Sequence, residues 1–200
     1  MKKIFLIFLI LVLCLVFSIL AIATTETLRP DGNGSEIAIT SQYPDADSHF
    51  DKIDEATTDD ADYVFDTGTT AVYHRDLYTV ANSAIGAGVI NSVTVYTRTC
   101  TEVSGYNVQQ ISLRTESTTY NYDINVGNQG AFHERNTGAL TVNPKTAAAW
   151  TWTEINALEI GGNIRGWSAS GNPGISQVWV VIDYTPAPSV NNAIIFGINF

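Results

Sequence analysis

Cysteine is almost missing from this sequence: among 200 residues only Cys14 and Cys100 occur. Cys14 lies inside an apolar N-terminal run. If that run is removed, Cys100 stands alone and no internal disulfide can staple the remainder. The fold then depends on its own core or on a bound metal. Cys100 falls in the apolar/polar alternation of a strand, which predicts a buried, inert thiol, with an intermolecular bridge as the alternative. Basic residues are also scarce, 10 against 20 acidic ones, for a net charge of −10. Such a surface repels phosphate backbones and excludes nucleic acid as a partner. Helical periodicity is nearly absent beyond the N-terminus. Catalytic constellations are missing too. His74-Arg75-Asp76 resembles a kinase triplet but has no glycine-rich loop, strand lysine or Asp-Phe-Gly beside it. Gly166-Trp167-Ser168-Ala169-Ser170 lacks the last glycine of a nucleophile elbow. His49, His74 and His133 show no metal-ligand spacing. No pair of carboxylates stands out for glycoside hydrolysis. The expectation is a protein that is not an enzyme.

The N-terminus is the clearest positive signal. Lys2 and Lys3 precede an apolar run over residues 4–23, broken only by Ser18 and closed by Ala21-Ile22-Ala23, a small-x-small pattern for a signal peptidase. The run is longer than an ordinary signal core and long enough to cross a bilayer. Residues 1–23 are therefore a signal peptide or a membrane anchor. Either reading places the rest outside the cell, secreted or at the surface, because the lysines stay on the cytoplasmic side. Cys14 follows Leu13 mid-run and does not fit a lipidation site. Without Lys2 and Lys3 the net charge moves from −10 to −12. Most of it sits in residues 26–76, which hold 13 acidic and 3 basic side chains.

Alternation dominates the remainder, with Val, Ile, Thr and Tyr abundant. Strands are predicted at 37–41, 50–53, 63–65, 71–79, 90–99, 106–115, 118–126, 135–142, 160–166 and 176–184. In the last, Val178, Val180, Ile182 and Tyr184 share one face and Trp179, Val181 and Asp183 the other, the pattern of an interior strand. Turn residues recur between the runs, as at Asp31-Gly32-Asn33-Gly34 and Gly171-Asn172-Pro173-Gly174. Many short strands at regular spacing predict an all-β fold: an antiparallel two-sheet sandwich of jelly-roll type over residues 24–185. One short helix is expected at 153–158, opened by a Thr151/Glu154 capping box and ended by Gly161-Gly162. Residues 186–200 read as a Pro-rich linker followed by a strand in which Ile194, Phe196, Ile198 and Phe200 alternate.

Three candidate sites follow. Nine acidic residues crowd positions 45–66, and the loop bearing Asp54, Glu55, Asp59, Asp60 and Asp62 is a candidate calcium site, since calcium takes about six to eight oxygens. The competing reading is a solvated acidic edge. Trp150 and Trp152, two apart and so on one side of an extended segment, form with Trp167 a candidate glycan platform; core packing is the alternative. The apolar strand of residues 193–200 is a candidate assembly element. It either folds back on its own sheet, adds to the edge of another copy or of another surface protein, or docks on a membrane.

Four stretches occur together and in order: Glu26-Thr27-Leu28-Arg29-Pro30-Asp31-Gly32-Asn33-Gly34, Asp54-Glu55 through Asp59-Asp60 to Tyr63-Val64, Ile90-Asn91-Ser92-Val93-Thr94-Val95-Tyr96, and Trp150-Thr151-Trp152-Thr153-Glu154-Ile155-Asn156-Ala157-Leu158. Over about residues 26–184 the chain resembles a family of jelly-roll sandwich domains of phage and prophage structural proteins and microbial surface proteins, similar in fold to carbohydrate-binding modules. The resemblance implies a scaffold and no catalytic residues, and a scaffold alone does not fix activity. The export signal departs from a virion-associated protein and favours the cell surface. The expected function is thus a non-enzymatic structural or surface protein, a filament or appendage subunit. The alternatives are a secreted carbohydrate-binding module and a virion-associated domain.

Overall fold

The computed structural model describes residues 22–67, 72–100, 109–124, 130–166 and 172–188. The leader up to residue 21, Trp167 and the strand carrying Ile194, Phe196, Ile198 and Phe200 lie outside the described residues. Eleven strands are described: β1 (Thr24–Leu28), β2 (Pro30–Ile37), β3 (Ser41–Tyr43), β4 (Tyr63–Phe65), β5 (His74–Val80), β6 (Val89–Cys100), β7 (Gln109–Thr115), β8 (Thr118–Ile124), β9 (His133–Asn136), β10 (Glu159–Ile164) and β11 (Gly174–Thr185). They form two antiparallel sheets. The smaller runs β2-β5-β10-β7-β8; the larger runs β3-β4-β11-β6-β9, with β1 also on β11. The expected all-β sandwich is the fold.

β11 organises the larger sheet because both its faces are apolar. Val178, Val180, Ile182 and Tyr184 point into the sandwich and are buried, while Trp179, Val181 and Asp183 are half-buried on the outside. One long edge of β11 takes β6 over its whole length. The other is shared, β4 pairing at Gly174 and Ile175 and β1 from Val180 to Tyr184. Against these side chains pack Leu113 and Ile111 of β7, Ile160 and Ile164 of β10, and Tyr78 of β5.

The short helix α1 (Trp152–Asn156) begins where the capping box places it. The Thr151 hydroxyl accepts from the Glu154 amide at 3.2 Å, and the Glu154 carboxylate accepts from the Thr151 amide at 2.7 Å. Gly161 and Gly162 do not end it; they lie in β10. A Cβ on Gly161 would stand 1.9 Å from the Asp76 carbonyl oxygen, so strands β10 and β5 pack as they do only with glycine there.

Other stretches depart from expectation: the strand predicted at 37–41 is broken at 38–40 between β2 and β3, the one at 135–142 ends at Asn136, and two more differ in kind. Residues 50–53 form no strand but part of a 3-10 turn, His49–Lys52, and the apolar Phe50 and Ile53 are three apart, which suits that turn rather than alternation. Residues 31–34 are no turn but the body of β2, an edge strand whose polar residues face solvent and whose register on β5 slips twice.

One end of the sandwich is polar inside. On β5 the inward alternation reads His74, Asp76, Tyr78. The Asp76 carboxylate is 0% exposed and accepts four hydrogen bonds: from the Ala38 amide at 2.7 Å, the Ile39 amide at 2.8 Å, His49 Nδ1 at 2.6 Å and the Tyr78 hydroxyl at 2.9 Å. Asp66, equally buried, takes His74 Nδ1 at 3.0 Å, the Thr40 hydroxyl at 3.0 Å and the Gly166 amide at 2.6 Å. Two carboxylates thus tie β5, the 3-10 turn and the segment after β2 into one frame. Burying them is tolerable only because their oxygens find donors.

Candidate functional site

The outer face of the larger sheet carries a cleft of about 280 Å³, lined by Asp60, Tyr63, Phe65, Cys100, Gly130, Phe132 and Asn172. Strand alternation builds one wall. With Val64 fully buried, Tyr63 and Phe65 must project outward, and their rings lie 5.5 Å apart. β3 pairs with β4 so that Tyr43 stands opposite Tyr63, ring to ring at 5.8 Å. Phe132, just before β9, closes the other side with its ring 5.6 Å from Tyr63. Gly174 is paired with two of the lining residues, Phe65 on one side and Cys100 on the other. A Cβ there would stand 3.3 Å from Tyr63 Cδ2 and 3.4 Å from Cys100 Sγ, so glycine leaves room between these two lining residues. Cys100 is buried, as expected of a strand thiol.

The acidic loop forms the third wall. Arg29 donates to the Glu55 carbonyl and, at 3.2 Å, to the Ala56 carbonyl. Gln177 Nε2 donates to the Glu55 and Thr57 carbonyls at 3.0 and 2.8 Å. Arg98 grips Asp60 with two parallel bonds, Nε to Oδ1 at 2.6 Å and Nη2 to Oδ2 at 2.7 Å, and the Ser176 hydroxyl donates to Oδ1 at 3.0 Å. These bonds, Arg98 foremost, hold the Asp60 carboxyl below its usual range, so it stays ionised at the edge of the cleft. The five carboxylates of the candidate calcium loop are not gathered into a ligand set: Asp60 is engaged by Arg98 and Ser176, and Asp59 accepts from the Ala61 amide at 2.8 Å. Among the described residues no group of three His, Cys, Asp or Glu side chains is placed to hold a metal ion.

Asp54, Glu55 and Asp62 are instead partly buried, and one buried oxygen each of Glu55 and Asp62 has no hydrogen-bond partner among the described residues. Burial raises the Asp54 and Asp62 carboxyls. Burial, with the neighbouring charges of Asp62, Asp54 and Asp59, pushes Glu55 from 4.5 up to about 7, and one buried Glu55 oxygen has no hydrogen-bond partner. The folded state therefore holds a proton on Glu55 that the unfolded chain gives up near pH 4.5. Stability contributed by that proton is full below pH 4.5 and is lost as pH rises through about 7. Glu55→Gln, which cannot ionise, should flatten this slope. Melting temperatures from pH 4 to 8 should fall more steeply for the natural protein than for the variant; parallel curves would contradict the assignment.

Of the two readings of the tryptophans, core packing is the one Trp150 and Trp152 take. Trp150 is 4% exposed, in the core, with Nε1 donating to the Leu140 carbonyl at 2.9 Å. Trp152 is half-buried against the core, donates to the Gly88 carbonyl at 3.2 Å and meets Tyr184 edge-on at 5.4 Å. Their shared direction in an extended chain is lost because Thr151 caps a helix that begins at Trp152. Trp179, on the outer face, already has ring and cation partners: Tyr96 stacked at 5.1 Å and Arg29 at 5.8 Å. Sequence reading does not single out the cleft aromatics Tyr63, Phe65 and Phe132. Alternation about Val64 is the signal for the first two; nothing local marks Phe132.

No family model matches the chain, and no curated protein does. Among solved structures a Podospora anserina GH26-CBM35 β-(1,4)-mannanase is similar, with 10% identity over 84% of this chain and 29% of that one, at a TM-score of 0.33. The chain thus spans less than a third of that enzyme's length, and its fold is defined by its own strand pairing.

Proposed function

We propose that this chain is an exported, non-catalytic β-sandwich that binds a glycan in the cleft between β4, β6 and the acidic loop. The observation that carries this reading is the pairing of three partly exposed rings, Tyr63, Phe65 and Phe132, with one fixed carboxylate, Asp60. The C–H face of a sugar ring packs on aromatic surface while its hydroxyls need a few placed polar groups. The volume, about 280 Å³, suits one pyranose unit with the rest of the chain running outside. What supports a binding role over hydrolysis is that Asp60 is the one carboxylate among the described lining residues, whereas glycosidases act with two facing carboxyls. The test is retention of the purified protein on a panel of immobilised polysaccharides, with Phe132→Ala alongside. Saturable retention that the variant loses by at least about tenfold supports the reading. Retention on none of them removes it.

A second reading, self-assembly, is carried by the alternating Ile194, Phe196, Ile198 and Phe200 beyond the Pro-rich segment. Removing residues 189–200 leaves β11 complete. If the strand joins copies, size-exclusion should show the natural protein as an oligomer and the truncated one as a folded monomer. A natural protein that is already monomeric would end this reading.

A further inference from the structure

We infer that the cleft selects an uncharged sugar residue and rejects uronate and sulfated ones, with Asp60 setting the charge preference and Gly174 the size. This rests on the glycan reading of the cleft. A carboxylate offers roughly four acceptor positions. On Asp60 three are taken, by Arg98 Nε, Arg98 Nη2 and the Ser176 hydroxyl, which leaves one on Oδ2. That position accepts from a sugar hydroxyl and has nothing to offer an anion. Arg98 turns two of its donors onto Asp60 and does not itself line the cleft, and the described lining residues include no cation. An anionic sugar would therefore meet the negative end of the Asp60–Arg98 pair with no cation among the described lining residues, in a molecule whose net charge is already −10. Depth follows from Gly174. Its absent side chain leaves room between the lining residues Tyr63 and Cys100, and the first carbon of any replacement would stand at tight contact with Tyr63, 3.3 Å, and in van der Waals contact with Cys100, 3.4 Å.

The experiment is calorimetric titration at pH 7 and low salt. The probes are neutral hexasaccharides of several configurations and their C6-oxidised, uronate-bearing forms. At least one neutral probe should bind, and its oxidised form should bind at least about tenfold more weakly. Asp60→Asn, with circular dichroism checking that it folds, should narrow that gap severalfold. Added salt should narrow it too. Gly174→Ala should weaken the neutral probe, with circular dichroism checking that it folds; should it not fold, the Asp60 arm still decides. Oxidised probes that bind as tightly as the neutral ones, or a gap unchanged in Asp60→Asn, would overturn the inference and leave the glycan reading standing. Binding of no probe, neutral or oxidised, would overturn both.

Discussion

Asp76→Ala is expected to lower the unfolding free energy by about 4 kcal/mol, near the upper end of what a single substitution does. Four donors converge on this one carboxylate: two backbone amides, an imidazole and a phenol. Alanine leaves the Ile39 amide, the His49 imidazole and the Tyr78 hydroxyl without an acceptor, while the Ala38 amide keeps the Arg75 carbonyl at 3.0 Å, and each buried group so left costs about 1–3 kcal/mol. They do not add in full, since the cavity admits some relaxation and His49 is partly exposed. Against a net stability of about 5–15 kcal/mol, this removes a large share of the margin. His49→Ala should cost less, because it takes one donor from Asp76 and leaves three. Urea unfolding followed by tryptophan fluorescence measures both. A loss under about 1 kcal/mol for Asp76→Ala would mean that the buried network does not hold the sheets as described.

Tyr63→Ala should weaken glycan binding by about 30-fold, or about 2 kcal/mol, because Tyr63 is the ring that touches Phe65, Phe132 and Tyr43 and so sets the position of the whole wall. The change also removes packing, so stability alone must be separated from binding. Trp152→Ala serves for that. It removes a larger ring that packs on the core and bonds to Gly88, away from the cleft lining. It should lower the melting temperature at least as far and leave affinity unchanged. Equal losses of affinity in both variants would point to general loosening rather than to a site.

The contrast between these two aromatics shows where sequence reading succeeds. β11 was legible because its alternation is long, its inward residues are all large and apolar, and a strand with apolar residues on both faces must lie inside a sheet. The helix at Trp152 was legible because a capping box is a local, reciprocal pattern. β1 and β2 were not. Their residues are polar, half of them exposed, and Asp31-Gly32-Asn33-Gly34 is as good a turn as sequence offers. Pairing with β5, supplied by residues about forty or more positions away, overrides that local preference. The site was legible only in part. The acidic loop drew notice through its composition, but its role as a wall depends on Arg29, Arg98 and Gln177, which no spacing connects to it. Phe132 and Gly174 reach Tyr63 only through the order of the strands. Asp76 was visible as part of a triplet that resembled something else, and its four donors come from three separate stretches of chain.

The most direct test of the glycan cleft is a nuclear magnetic resonance titration of the isotope-labelled protein with the neutral hexasaccharide that binds tightest. Saturable shifts are predicted at Asp60, Tyr63, Phe65, Cys100, Phe132 and Gly174, with the core indole of Trp150 unmoved. Shifts centred on another surface, or none at all up to millimolar sugar, would contradict a binding cleft at this place.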